Sequence, residues 1–120
     1  MRVLIVDDDV EVLDVLSEVL SAQGCAVCLA RTGGEAMAMA TTFLPDVALV
    51  DVGLPDIDGA TLPALLRAAV PDHPLRVIGH TGVAPARLRE AARRAMFDAL
   101  VLKPATLEQL RWALGIDGST

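Results

Sequence analysis

The chain has 120 residues and is 53% hydrophobic, which suits one domain, residues 1–120, with a sizeable core. Its net charge of −6 argues against a direct nucleic-acid partner, because binding to phosphates needs a basic surface. No apolar stretch approaches the roughly 18 residues that span a membrane, and no secretory signal precedes the first predicted strand, so we expect a cytoplasmic protein without direct membrane contact.

Short apolar strands and helical patterns alternate along the whole chain. The predicted strands span residues 2–6, 25–30, 47–50, 76–79 and 99–102, and apolar stripes with helical spacing span 12–20, 36–44, 62–69, 88–95 and 107–114. Several strands are almost entirely apolar, as is typical of parallel strands covered on both faces. The alternation predicts an α/β fold with a doubly wound parallel sheet and right-handed crossovers.

Polar residues mark the starts of three predicted helices. Asp9 precedes the first stripe, and aspartate is a favoured N-cap. Thr32 with Glu35, and Thr106 with Gln109, have the spacing of a capping box. These residues predict helices that begin near positions 10, 33 and 107.

Cys25 and Cys28 have the C-x-x-C spacing of redox and metal sites. Both fall in the second predicted strand, where residues three positions apart point to opposite faces of the sheet. A redox pair would instead use a helix N-terminus, which lowers the pKa of a thiol. We therefore interpret both as small, buried or half-buried hydrophobic residues.

Residues suited to chemistry follow the ends of four predicted strands. They are Asp7, Asp8 and Asp9 after the first strand, Asp51 after the third, Thr81 after the fourth and Lys103 after the fifth. In open α/β sheets, ligands bind beyond the carboxyl ends of the strands, where the winding direction reverses. We therefore expect these side chains to share one rim of the sheet.

The three aspartates after the first strand either point apart into water or have a cation among them. Two carboxylates about 4 Å apart repel by roughly 4 kcal/mol at an effective dielectric constant near 20. Several carboxylate oxygens together suit Mg²⁺ or Mn²⁺ better than zinc. In the alternative interpretation, the aspartates only cap the first helix, whose dipole favours anions in its first turn.

A carboxylate in such a site is also a potential nucleophile. It could attack a phosphoryl group and become an aspartyl-phosphate. The oxygens of the transferred group would then need donors opposite the metal. Thr81 offers a hydroxyl group, and Lys103, the single lysine among ten basic residues, offers a compact charge that arginine does not reproduce.

With these motifs the chain resembles the receiver domains of two-component response regulators over essentially its whole length. The resemblance is carried by Asp7-Asp8, by VALVDVGLPDIDG around Asp51, by Thr81 and by LVLKPAT around Lys103. It implies a flavodoxin-like (βα)5 three-layer sandwich with parallel strand order 2-1-3-4-5. The stretches DVGLP, GHTG and MFDALVLKP are most similar to receivers at the ends of hybrid histidine kinases.

The resemblance implies that Asp51 accepts a phosphoryl group. The donor would be a phosphohistidine on a histidine kinase or a histidine phosphotransfer domain, without separate substrate turnover. Asp8, Asp51 and the backbone carbonyl of Gly53 would bind Mg²⁺ or Mn²⁺, and Asp7 would act directly or through water.

The resemblance also implies roles for the residues at the ends of the fourth and fifth strands. Lys103 would pair with Asp51 or its phosphate, and the Lys103–Pro104 bond would be cis. Thr81 would move toward a phosphoryl oxygen together with its loop, which would bias an interaction surface. We expect a monomer or a weak dimer.

One departure from the family leaves a second function open. Leu100 stands three positions before Lys103, where the family usually has an aromatic residue or histidine that moves with the threonine. The alternative is therefore a phosphorylation-independent interaction module. A haloacid-dehalogenase-type phosphatase is disfavoured because Gly53 replaces the second aspartate it needs, and a flavodoxin because three aspartates would repel its phosphate.

Other notable polar residues are expected to be structural. Asp56 and Asp58 are interpreted as turn or cap residues before the third helix. His73 and His80 are expected to be structural or solvent-facing. Trp112 lies off the apolar stripe of the last helix, so part of its ring is expected to be exposed.

Overall fold

Five parallel strands form one sheet in the computed structural model of the chain, which describes residues 1–54, 56, 61–82 and 97–116. The strands are β1 (Arg2–Val6), β2 (Ala26–Ala30), β3 (Val47–Asp51), β4 (Arg76–Thr81) and β5 (Ala99–Leu102). They lie in the order β2-β1-β3-β4-β5, and all neighbouring pairs are parallel. The predicted flavodoxin-like order is confirmed.

Helices cover both faces of this sheet and complete the three predicted layers. The described helices are α1 (Val10–Ala22), α2 (Gly33–Phe43), α3 (Leu62–Ala69) and α4 (Leu107–Leu114). Buried residues of α1 and α4 pack on one face, and those of α2 and α3 on the other. The predicted stripe at 88–95 lies outside the described residues. None of the described helices combines the length and the apolarity of a membrane span.

The capping predictions hold at α4 and in part at α2. Thr106 accepts a hydrogen bond from the backbone of Gln109 at 3.1 Å, and the Gln109 side chain accepts one from Thr106 N at 2.9 Å. Thr32 likewise accepts from Glu35 N at 3.0 Å, but the Glu35 carboxylate accepts from Arg31 N instead of Thr32 N. The capping box at α2 is therefore incomplete.

Two predicted strands extend further than their apolar residues indicated. Asp51 pairs with His80, and Thr81 pairs with Leu102, so β3 and β4 include the residues that were predicted to follow them. Pairing with neighbouring strands holds these polar residues in extended conformation. The site residues Asp51 and Thr81 therefore stand on the sheet itself and not on loops.

The second helical stripe was predicted one residue too long. Leu44 is the C-cap of α2, with a left-handed φ of 49°, and it is 43% exposed instead of buried. Pro45 follows it, and the residue before a proline disfavours helical conformation. Helical spacing alone does not reveal this effect on Leu44.

The two cysteines occupy opposite faces of the sheet, as predicted. Cys25 immediately precedes β2 and packs against the core beneath α1 and α4. Cys28 packs against the other core, with its Sγ atom 3.6 Å from the sulfur of Met39. Both thiols are free and half-buried, so they serve as small hydrophobic side chains.

Candidate functional site

The order of the strands brings the aspartates of β1 and β3 to one edge of the sheet. β1 and β3 are neighbours, with Val6 opposite Val50, so Asp7 and Asp51 follow paired residues. One carboxylate oxygen from each of Asp7, Asp8 and Asp51 lies within 4.8 Å of the other two. This edge is the point where the winding of the sheet reverses, which is where ligands bind in such folds.

Asp7 is buried and already has strong partners. Asp7 is 1% exposed, and its Oδ2 atom lies 2.9 Å from the Nζ atom of Lys103. Its Oδ1 atom accepts a hydrogen bond from Asp9 N at 2.9 Å. Both oxygens therefore have donors, and the ammonium of Lys103 compensates the buried charge.

Lys103 also reaches Asp51, but at a longer distance. Its Nζ atom lies 3.6 Å from Asp51 Oδ2, compared with 2.9 Å from Asp7 Oδ2. Burial by itself would lower the pKa of Lys103, but the hydrogen bond to Asp7 and the negative charge of Asp51 outweigh it and raise that pKa. Lys103 is therefore charged at neutral pH and bridges the two aspartates. The Lys103–Pro104 bond is cis, as the resemblance implied.

Asp51 is the half-buried carboxylate of the site. Burial is the largest influence and raises the pKa of Asp51, and the negative charge of Asp7 adds to the rise. The Oδ1 atom of Asp51 accepts a hydrogen bond from Gly53 N at 3.0 Å, which acts in the opposite direction. A carboxylate with a raised pKa is more basic and favours a nearby cation or a covalent partner.

Asp8 and Asp9, the other two aspartates of the DDD sequence, differ in role: Asp8 is accessible to a ligand, and Asp9 is structural. Asp8 is exposed, so its carboxylate faces solvent beside Asp7 and Asp51. Asp9 is the N-cap of α1 and accepts a hydrogen bond from Glu11 N at 3.0 Å. Helix capping therefore explains Asp9 but not the other aspartates.

The donor atoms of this edge fit a hard divalent cation. The three grouped side chains offer only carboxylate oxygens, and such ligands suit Mg²⁺ and Mn²⁺ better than zinc. Gly53, whose carbonyl the resemblance assigned to the metal, is exposed directly beside Asp51. The residues present thus fit the implied metal in the type of ligand atom that they offer.

Thr81 completes the polar rim at the end of β4. It is 8% exposed and pairs with Leu102 of β5, and its carbonyl oxygen accepts a hydrogen bond from Lys103 N at 2.7 Å. The backbone of the threonine and that of the lysine are therefore linked.

Comparison with known proteins identifies the family. The model of the response regulator receiver domain matches residues 3–115 of the chain. The chain belongs to this family. It is a receiver domain of two-component signalling, and this result favours the phosphoacceptor interpretation over a phosphorylation-independent module.

Individual relatives agree with the family assignment. The transcriptional regulatory protein PrrA of Mycobacterium tuberculosis is 36% identical over 109 residues, which cover 91% of this chain and 46% of PrrA. A CheY-like receiver domain protein from Methanospirillum hungatei has a TM-score of 0.84 and 32% identity, with 95% and 90% of the two chains covered.

A third relative is a solved response regulator from Burkholderia pseudomallei, described with a phosphorylated aspartic acid, a calcium ion and citrate. It has a TM-score of 0.85 and 29% identity, with 94% of this chain and 65% of that one covered. The receiver spans about half the length of the curated response regulators PrrA and MprA that it matches.

Leu100 of the receiver packs into space left by a glycine on the neighbouring strand. A Cβ atom built on Gly79 would lie 2.5 Å from Leu100 Cδ2, and 3.3 Å from side-chain atoms of Phe97 and Val52. Val52 directly follows Asp51. Leu100, Phe97 and Val52 therefore surround Gly79 in a small apolar cluster, which includes the residue that follows Asp51.

We expect strong energetic coupling between Gly79 and Leu100. Gly79→Ala will cost about 1–2 kcal/mol more in the wild-type background than in the Leu100→Ala background, because truncating the leucine removes the overlap. Urea unfolding of the four chains of this double-mutant cycle measures the difference. Equal costs in the two backgrounds would show that Leu100 does not occupy this space.

His80 was expected to be structural or solvent-facing, and it is buried. It is 4% exposed, and within the described part of the chain its Nε2 atom has no hydrogen-bond partner. Burial, and then the positive charge of Lys103, lower the pKa of His80 to about 4. His80 is therefore neutral at physiological pH. The sequence offered no direct signal for this burial beyond its position at the end of an apolar strand.

Asp56 caps a different helix from the one predicted. Its Oδ1 atom accepts a hydrogen bond from Gly33 N at 3.0 Å, and its Oδ2 atom accepts one from Gly34 N at 3.1 Å. These amides belong to the first turn of α2, not of α3. The sequence did not indicate this contact, because the two partners are 23 and 22 residues away, and Asp58 lies outside the described residues.

Proposed function

We propose that this receiver accepts a phosphoryl group on Asp51 in a Mg²⁺-dependent reaction. The observation that supports it most strongly is the grouping of Asp7, Asp8 and Asp51 oxygens within 4.8 Å, with Lys103 Nζ 3.6 Å from Asp51. A reactive carboxylate, donors for a divalent cation and a fixed ammonium thus share one edge of the sheet. These are the groups that phosphoryl transfer to a carboxylate requires.

The donor in this proposal is a phosphohistidine on a histidine kinase or a histidine phosphotransfer domain. A carboxylate oxygen of Asp51 attacks the phosphorus atom, so a P–O bond forms while the P–N bond to the donor histidine breaks. The electron pair of that bond stays on the imidazole nitrogen, which then takes up a proton.

The cation would be held by Asp8, Asp51 and the Gly53 carbonyl, with Asp7 acting directly or through water. When bound, Mg²⁺ supplies positive charge that offsets the carboxylates and the oxygens of the transferred group. Lys103 would balance charge on the transferred group, and Thr81 would donate its hydroxyl group to one of that group's oxygens. The Burkholderia pseudomallei response regulator, described with a phosphorylated aspartic acid and a calcium ion, supports this assignment by analogy.

A groove beside the site offers a surface for the donor protein. It has a volume of about 480 Å³, and its apolar lining includes Val12, Val15, Pro104 and Ala105. Lys103 also lines it, so a protein bound there would lie next to the acceptor edge. In this proposal the receiver is modified once per cycle and turns over no separate substrate. The cytoplasmic location and the monomeric or weakly dimeric state stay predictions.

Intact-mass measurement after incubation with Mg²⁺ and a small phosphodonor such as acetyl phosphate tests this function. We expect the wild-type chain to gain the mass of one phosphoryl group, and the gain to disappear in Asp51→Asn and in EDTA. Asp14→Asn, which changes an exposed carboxylate on α1, is the matched control and should be modified like the wild type. A wild-type chain that gains no mass would instead support a phosphorylation-independent module.

A further inference from the structure

We propose that Asp56 is a positioning residue for the metal side of the acceptor site, because it ties the segment that follows β3 to the first turn of α2. The inference rests on the proposed function, since it gives Asp56 a role at the same Mg²⁺ site. The Asp56 carboxylate accepts hydrogen bonds from Gly33 N at 3.0 Å and from Gly34 N at 3.1 Å. Asp56 therefore contacts the first turn of α2, whereas Asp7 and Asp51 contact Lys103.

These two hydrogen bonds satisfy donors that the helix itself leaves without partners. The first amides of a helix have no partner within the helix, and the helix dipole favours an anion beside them. α2 also has a local cap, because Thr32 Oγ1 accepts from Glu35 N at 3.0 Å. The Asp56 contact is therefore additional to the local cap, and it joins two parts of the chain that are distant in sequence.

The segment between Asp51 and Asp56 is held at several described points. Gly53 N donates to Asp51 Oδ1 at 3.0 Å, Val52 N donates to the carbonyl oxygen of His80 at 3.3 Å, and Leu54 is 7% exposed in the core beneath α2 and α3. Asp56 adds an anchor beyond them. Gly53 lies between the anchors and has the largest backbone freedom of any residue type.

The position of Gly53 matters because Mg²⁺ demands nearly ideal octahedral geometry. A backbone carbonyl cannot adjust by side-chain rotation, so it reaches the ion only if the segment itself is fixed. Release of Asp56 would free the far end of the segment while leaving the rim carboxylates unchanged. We therefore expect weaker Mg²⁺ binding without loss of a side-chain ligand.

Calorimetric Mg²⁺ titration of Asp56→Ala and Thr32→Ala tests this inference. Both variants remove a cap from the first turn of α2, so both should lower the urea midpoint of unfolding. We expect Mg²⁺ affinity to fall about tenfold in Asp56→Ala and to stay at the wild-type value in Thr32→Ala. Equal Mg²⁺ affinities in the two variants would reduce Asp56 to a helix cap and overturn the proposal.

Asp56→Asn separates positioning from loss of charge. Asparagine keeps one acceptor oxygen for the amides of α2 but removes the negative charge. Positioning predicts an affinity between those of the wild type and Asp56→Ala, whereas an effect of charge alone predicts equal affinities for Asp56→Asn and Asp56→Ala and contradicts the inference. A wild-type chain that binds no Mg²⁺ would reject the proposed function itself, which distinguishes the two failures.

Discussion

Lys103→Met will destabilise the metal-free receiver by about 3–5 kcal/mol, because it leaves a buried carboxylate without its cation. Asp7 is 1% exposed and its Oδ2 atom lies 2.9 Å from Lys103 Nζ, so neither water nor another described cation compensates it. The Asp51 carboxylate, 3.6 Å from the same ammonium, loses its partner as well. Urea unfolding in EDTA measures the loss of free energy.

Two further measurements identify the cause of this loss. Asp7→Asn combined with Lys103→Met should recover most of the stability, because Asp7, the most deeply buried carboxylate of the group, then no longer carries a charge. Added Mg²⁺ should stabilise Lys103→Met more than the wild type, since the grouped aspartates then lack any other cation. The account fails if Lys103→Met unfolds within about 0.5 kcal/mol of the wild type, which is the usual effect of a surface substitution.

His80→Val will make the receiver less sensitive to acid. The pKa of His80 is about 4 in the folded chain, against an ordinary value of 6.5. As the pH falls from 6.5 toward 4, the unfolded chain binds a proton at this residue while the folded chain does not, so the free energy of unfolding falls. The full loss from His80 is about 3 kcal/mol, and it is absent above the ordinary pKa.

Unfolding of the wild type and of His80→Val by urea at several pH values tests this prediction. Both chains contain His73 and all the carboxylates, so the difference between their stabilities isolates His80. We expect the difference to be nearly constant above pH 7 and to grow in favour of His80→Val toward pH 4. Parallel stability curves over this range would show that His80 ionises normally in the folded chain.

The sequence predicted the strands and most of the helices because each element carried its own local signal. Apolar strands, helical stripes and caps such as Thr106 with Gln109 specify local structure without knowledge of the rest of the chain. The strand order came from the resemblance to receivers, and the sheet confirms it. Once that order is known, the register of β1 with β3 brings Asp7 and Asp51 together.

The sequence did not predict all the partners that the charged side chains contact. Lys103 was expected to pair with Asp51 or its phosphate, and its Nζ atom does lie 3.6 Å from Asp51 Oδ2. Its shorter contact, 2.9 Å to the buried Asp7, was not predicted. Asp56 was assigned to the helix that follows it, although its carboxylate reaches α2. Such choices depend on distances between layers of the fold, which no spacing in the sequence contains.

Calorimetric titration of the wild type and of Asp8→Asn with Mg²⁺ tests the central claim most directly. The claim is that carboxylates from the ends of β1 and β3 hold one divalent ion beside Asp51. It predicts one Mg²⁺ per wild-type chain and affinity at least about tenfold weaker in Asp8→Asn. Equal affinities in the two chains, or no Mg²⁺ binding by the wild type, would contradict it.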